Sequence, residues 1–179
     1  MNYFTLALLA VLLITATITD VRSRKIPNWL TFSAMTAAVL HYSMSSGFEG
    51  LCFGIFGLIS GMSVFIIIYL LGGMGAGDVK LMGAVGAILG PQDVISAMFL
   101  TVVAGGIYAA FVLAFTKHLK IITGNFFSRS SFFPNGRLFK KLYTARHEKK
   151  PILHYGLAIA IGTSISVVLA KSGYQLFQI

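Results

Sequence analysis

Acidic residues are scarce in this chain. Only 5 of its 179 residues are Asp or Glu, and charged residues of both signs make up 11% of the total. A typical soluble domain carries about 25% charged residues, so this composition excludes an ordinary water-soluble globular protein. Hydrophobic residues make up 56% of the chain and recur in long runs along its whole length. The sequence therefore predicts an all-α, polytopic integral membrane protein.

Cysteine is almost absent as well, because Cys52 is the only one. A single cysteine excludes an internal disulfide and a zinc site built from paired cysteines. The 4 histidines lack the spacing of metal ligands on one helical turn. We therefore expect neither a bound metal ion nor another cofactor.

Six apolar segments predict six membrane-spanning helices. They cover approximately residues 2–19, 29–45, 50–71, 79–90, 94–116 and 152–170. The fourth segment has only twelve residues, which at ~1.5 Å each extend ~18 Å into a hydrocarbon core ~30 Å thick. Because Gly83, Gly86 and Gly90 allow close helix packing, we expect this segment to be surrounded by protein.

The basic residues predict the orientation in the membrane. Thirteen of the 14 Lys and Arg residues fall in loops on one side of the predicted membrane, and only Lys171 lies on the other. Since positively charged loops stay in the cytoplasm, both termini should face away from it. This placement explains the net charge of +9 better than binding to nucleic acid does. The sequence predicts a multi-pass protein of the inner (cytoplasmic) membrane without a nucleic-acid partner.

The fifth loop, residues 117–150, is the only long connection between the predicted spans. It holds nine of the basic residues, and aromatic residues are interleaved with them. Such a composition is typical of segments that lie on anionic lipid headgroups. Docking of a substrate or an assembly partner is the alternative. No soluble domain is visible, so residues 1–179 are predicted to form one membrane-embedded domain.

Two aspartates, Asp20 and Asp78, each lie where an apolar segment meets a polar loop on the predicted cytoplasmic side. An ionisable residue near the membrane interior is costly and marks a functional site. The structural alternatives are an ion pair of Asp20 with Arg22 or Arg24, and a helix N-cap at Asp78. Because both acids lie on the same face of a chain with few others, we interpret them as a pair that shares a proton and activates water.

Five residues near the aspartates are candidates for a supporting role. Gly75 and Gly77 precede the second aspartate and should let the backbone reach conformations closed to other residues while leaving room for a substrate. Pro27 and Asn28 predict a turn into the second helix, with Asn28 as its N-cap. Two interpretations of Lys80 are open. In the first, it stabilises the charge of the pair or holds a substrate carbonyl. In the second, it is a positively charged membrane anchor.

Together, these motifs resemble those of a known family. Asp20 with the following segment 24–28, and the glycine-rich segment 72–81 around Asp78, are similar to the two motifs of the type IV prepilin peptidases. These are integral-membrane aspartic proteases with a G-x-G-D motif, and the resemblance covers roughly residues 1–116. It implies that Asp20 and Asp78 are the catalytic pair and that the substrate is a pilin-like precursor. It also implies that the leader peptide is cut at the cytoplasmic face.

The chain departs from the large members of that family. Those carry a cysteine-containing cytoplasmic region ahead of the first aspartate and also methylate the new N-terminus, whereas only nineteen residues precede Asp20 here. We therefore expect no N-methyltransferase activity. The chain resembles the short peptidases of tight-adherence (Flp) pilus systems.

Two other functions fit the same aspartates. A small proton-coupled transporter or channel would use them as a proton relay. A non-catalytic scaffold of a pilus or secretion assembly would not need their charge at all.

Overall fold

The computed structural model describes residues 2–71, 73–115 and 155–172, with side chains up to residue 111 in the second range. Loop 117–150 lies outside the described residues, so its contacts with lipid or a partner stay predictions. The chain divides into two compact units, Met1–Gly105 with His154–Ile179, and Gly106–Leu153. Both aspartates belong to the first unit. In the second unit, only the end of one helix is described.

The described part of the chain is helical and contains no strand, which confirms the predicted all-α class. Its helices are α1 (Tyr3–Ser23), α2 (Asn28–Leu70), α3 (Ala76–Leu89), α4 (Pro91–Phe115) and α5 (Tyr155–Lys171). Three of them are long and apolar enough to cross a membrane, namely α1, α2 and the 91–111 part of α4, while α5 is apolar but shorter. The six crossings and the side of the termini stay predictions.

Helix α2 consists of two arms that fold back on each other. Ser46 (φ −132°, ψ 16°) and Gly47 (φ 58°, ψ −132°) leave the helical conformation, and the positive φ of Gly47 favours glycine. In a straight helix residues 39 and 54 would lie ~22 Å apart. Instead, a Cβ atom on Gly54 would lie 3.3 Å from the Cα atom of Val39. The arms, residues 28–45 and 48–70, match the second and third predicted segments.

Helix α3 is surrounded by protein, as the sequence predicts for its fourth segment. Its 14 residues are too few to cross a hydrocarbon core at ~1.5 Å each, and residues 81–89 are all buried. Glycines bring it unusually close to the second arm of α2. A Cβ atom on Gly57 would overlap the carbonyl oxygen of Gly86, and one on Gly86 would overlap the carbonyl oxygen of Gly57. The two backbones therefore touch without intervening side chains.

Two further contacts fix the helices around α3. The hydroxyl of Tyr42, near the end of the first arm of α2, donates a hydrogen bond to the carbonyl oxygen of Ile88 at 2.7 Å. Helix α5 packs against α1 and α3, and its Gly162 lies so close to α4 that a Cβ atom would be 2.5 Å from the backbone of Thr101. These contacts fix α2 and α5 against the helices that surround α3.

Candidate active site

Asp20 lies in the last turn of α1, and its side chain is buried with only 8% of its surface exposed. The helix ends at Ser23, and the left-handed conformation of the next residue, Arg24 (φ 54°), turns the chain away. The N–H of Arg24 donates to the backbone oxygen of Asp20 at 2.9 Å. The carboxylate oxygen Oδ2 accepts a hydrogen bond from the N–H of Gly156 at 3.0 Å. Within residues 2–71, 73–115 and 155–172, Asp20 forms no ion pair, so the predicted alternative with Arg22 or Arg24 is not found.

Asp78 is the third residue of α3, and 9% of its surface is exposed. Its Oδ2 accepts a hydrogen bond from the N–H of Gly75, the residue that precedes the helix, at 3.1 Å. This bond is one half of a capping box, in which an acidic side chain in the first turn reaches back to the N-cap backbone. Asp78 therefore helps to start α3, but from inside its first turn and not from the N-cap position.

The glycines of the motif act through their small size. Gly75 has an extended backbone (φ −84°, ψ 153°), which any residue adopts. Among the described glycines, only Gly47 and Gly90 have a positive φ. The prediction that Gly75 and Gly77 provide unusual conformations is therefore wrong. A Cβ atom on Gly75 would lie 3.1 Å from Oδ2 of Asp78, and one on Gly77 would lie 3.3 Å from Cβ of Ile26.

The structure brings the two aspartates together at the beginning of α5. The negative charge of Asp20 acts on the carboxyl group of Asp78, although the two are far apart in sequence. The hydroxyl of Tyr155 lies within electrostatic reach of Asp78. The next residue, Gly156, donates to Asp20. The end of α1, the start of α3 and the start of the described part of α5 thus lie near one another around the two buried aspartates.

Burial raises the pKa of the Asp78 carboxyl from 3.8 to about 6. The hydrogen bond from Gly75 opposes this increase, and the negative charge of Asp20 adds to it. Asp78 lies one residue ahead of the predicted span 79–90 and outside the three helices long enough to cross a membrane. Two carboxyl groups in such surroundings cannot both ionise at low cost, so the pair tends to keep one proton.

The raised pKa predicts that Asp78→Asn stabilises the fold at neutral pH. Because the folded state holds the Asp78 proton more tightly than the unfolded state, the free energy of unfolding falls as pH rises from 3.8 to about 6. Asparagine stays neutral and can still accept the bond from Gly75. We expect the variant to melt at higher temperature than the wild type at pH 7.5, by an amount equivalent to about 3 kcal/mol. The difference in melting temperature should vanish near pH 4. An equal difference at both pH values would contradict the raised pKa of Asp78.

Lys80 and Asn28, both predicted to support the site, bind each other. The Nζ atom of Lys80 donates to Oδ1 of Asn28 at 2.9 Å and lies 5.2 Å from the centre of the Phe32 ring. The prediction that Asn28 is the N-cap of α2 is wrong. The helix begins at Asn28 itself, and Pro27 occupies the cap position. The side chain of Asn28 instead serves as an acceptor for Lys80, which connects the start of α3 to the start of α2. A role of Lys80 toward substrate stays a prediction.

A small apolar cleft opens beside the motif but does not contain the aspartates. It has a volume of about 230 Å³ and lies between the second arm of α2 and the start of α3. Its lining residues are Met62, Ile66, Tyr69, Leu70, Ala76, Val79 and Lys80. Ala76 and Lys80 lie one helical turn apart, on the side of α3 away from Asp78. In the described part of the chain, no three His, Cys, Asp or Glu residues are grouped so that they could hold a metal ion.

Tyr155 and Gly156 are the site residues that the sequence did not indicate. They are 135 and 136 residues from Asp20, and neither belongs to a motif. The one available signal is that they lie near the start of the sixth predicted segment, on the same predicted membrane face as both aspartates.

Comparisons with known proteins identify a family. The model of the type IV leader peptidase family matches residues 7–110, a stretch that includes Asp20 and Asp78 and more than half of the chain. No curated protein and no solved structure matches the sequence. The matched stretch contains the helices that carry both aspartates. The chain therefore belongs to the type IV leader peptidase family.

Proposed function

We propose that this protein is a membrane aspartic endopeptidase that removes the leader peptide of pilin-like precursors, with Asp20 and Asp78 as its catalytic pair. Membership of the type IV leader peptidase family supports a leader peptidase role and a pilin precursor as substrate in general. The observation that carries the proposal is that two buried carboxyl groups, at the end of α1 and the start of α3, lie within electrostatic reach of each other. Only three other acidic residues are present in the chain.

The chemistry follows from one proton shared by two carboxyl groups. The ionised carboxylate takes a proton from a water molecule as general base, and the resulting hydroxide attacks the scissile carbonyl carbon. The protonated carboxyl group donates its proton to the carbonyl oxygen and, later, to the leaving amine. The raised pKa of Asp78, about 6, moves its proton exchange toward neutral pH. Neither step forms a covalent bond between enzyme and substrate.

The proposed place of reaction is the cytoplasmic face of the inner membrane. The distribution of Lys and Arg supports this orientation, six crossings and non-cytoplasmic termini. The bilayer confines enzyme and precursor to two dimensions, which raises their effective concentration. We also propose that the protein is a short family member of a tight-adherence (Flp) type of system, without N-methyltransferase activity. Loop 117–150 is proposed to bind anionic lipid.

A reconstitution experiment tests the proposed function. The purified protein in liposomes is mixed with a synthetic precursor that consists of a basic leader, a glycine and one apolar helix. We expect cleavage next to the glycine, measured by mass spectrometry of the products. The same liposomes, loaded with a pH-sensitive dye, report proton flux. Proton flux without cleavage would contradict the proposal and favour the transporter or channel.

A further inference from the structure

Gly156 contacts Asp20 in a way that only glycine allows. Its N–H is 3.0 Å from Oδ2 of Asp20, and this hydrogen bond is buried. A Cβ atom at position 156 would lie 2.8 Å from the same oxygen and 3.1 Å from both Cβ and Cγ of Asp20. No side chain larger than hydrogen fits beside the carboxylate without moving it.

The bond joins two helices that are far apart in the sequence. Asp20 lies in the last turn of α1, and Gly156 is the second residue in the described part of α5. A backbone N–H cannot rotate as a side-chain donor does, so the packing of α5 against α1 fixes the direction of this bond.

We propose that Gly156 is a positioning residue, whose backbone N–H fixes the orientation of the Asp20 carboxyl group within the pair. This inference rests on the proposed function and deepens it. Gly75 makes the corresponding contact to the second aspartate, because its N–H donates to Oδ2 of Asp78 at 3.1 Å. Each aspartate is therefore held by one backbone N–H.

The other groups around Asp20 do not replace this contact. From α3 the facing group is the acidic Asp78, and from α5 the Tyr155 hydroxyl lies within electrostatic reach of Asp78. The titratable side chains in the first arm of α2 are His41 and Tyr42, and His41 stacks on Phe4 at the opposite end of α1. Arg22 and Arg24, at the end of α1, are exposed and form no ion pair with Asp20 in the described part of the chain. The Asp20 carboxyl group is therefore held by the backbone N–H of Gly156 and not by these arginines.

The test is a kinetic comparison of Gly156→Ala with the wild type in liposomes with the synthetic precursor. We expect kcat to fall about 10- to 100-fold, the size of effect for losing a hydrogen bond to a charged group. The KM for the precursor should change little, because Gly156 acts through Asp20. A fall in kcat at constant KM separates a role in positioning Asp20 from a role in binding the precursor. Gly106→Ala is the matched control, since a Cβ atom there meets nothing within 4 Å.

A stability measurement covers the case in which Gly156→Ala folds poorly. The variant is compared with the wild type, and Asp20→Ala/Gly156→Ala is compared with Asp20→Ala. Removing the carboxylate relieves the overlap, so the alanine at position 156 should lower the melting temperature less in the Asp20→Ala background. An equal decrease in both backgrounds would overturn the inference, and so would an unchanged kcat or a loss of kcat/KM that comes from a higher KM alone. If Asp20→Asn and Asp78→Asn also leave cleavage intact, the proposed function itself fails.

Discussion

Asp20→Asn and Asp78→Asn should each abolish cleavage of the precursor while the protein still inserts into the membrane. Asparagine keeps the size of the side chain and can still accept the hydrogen bonds from Gly156 and Gly75. It can neither take a proton from water nor donate one as an acid. General acid–base catalysis contributes about 10²–10⁴-fold to each proton transfer, so we expect the initial rate in liposomes to fall by at least that factor.

Asp93→Asn is a matched control for these two variants. Asp93 is also an aspartate in the first turn of a helix, α4, but it lies on the other predicted side of the membrane. The control should cleave at the wild-type rate. Wild-type cleavage by either Asp20→Asn or Asp78→Asn would show that hydrolysis does not need the pair. Loss of cleavage in all three variants would indicate a general dependence on acidic residues.

Gly57→Ala and Gly86→Ala should disrupt the packing of α3 against α2. At each position the new methyl group would overlap a backbone carbonyl oxygen of the other helix, and a backbone atom cannot rotate away as a side chain does. Overpacking in a core typically costs about 1–3 kcal/mol, and we expect at least the upper end of this range here. Cleavage should decrease as well, because α3 carries Asp78 at its start. Thermal melting in detergent and the yield of folded protein measure the effect.

Gly83→Ala separates close helix packing from the general cost of replacing a glycine. A Cβ atom at position 83 would meet Cγ of Met62 at 2.6 Å and its Sδ at 3.1 Å. The methionine side chain is flexible and can move aside. We therefore expect a smaller decrease in melting temperature for Gly83→Ala than for the other two glycines. Equal effects at all three positions would contradict the backbone contact between α2 and α3.

The sequence predicted those features of the fold that depend on local composition. The apolar runs indicated helices, and the twelve-residue length of the segment 79–90 together with its glycines indicated a helix inside the protein. Both are found, and α3 is buried along residues 81–89. The turn of α2 at Ser46 and Gly47 also falls between two predicted segments. These features could be predicted because helix formation and close helix packing each require a particular local composition, namely apolar runs and small residues.

The sequence could not predict the contacts that depend on how distant helices meet. The bond from Gly156 to Asp20 and the bond from Lys80 to Asn28 join residues 136 and 52 positions apart. Asn28 is a favoured N-cap residue, yet Pro27 takes that position and the amide oxygen of Asn28 binds Lys80. Glycine in the motif suggested unusual backbone angles, whereas its small size is what the packing requires. In each case the role of the residue depends on a contact with a residue that is distant in the sequence.

The most direct test of the account is a cross-linking measurement between positions 20 and 78. Asp20→Cys and Asp78→Cys are combined in a Cys52→Ser background and treated in membranes with a short bifunctional thiol reagent. Asn28→Cys with Lys80→Cys is the positive control, because these side chains bind each other at 2.9 Å, and Asp20→Cys with Asp93→Cys is the negative control. We predict that the 20–78 pair cross-links as efficiently as the positive control. A yield no higher than that of the negative control would contradict the convergence of the two aspartates.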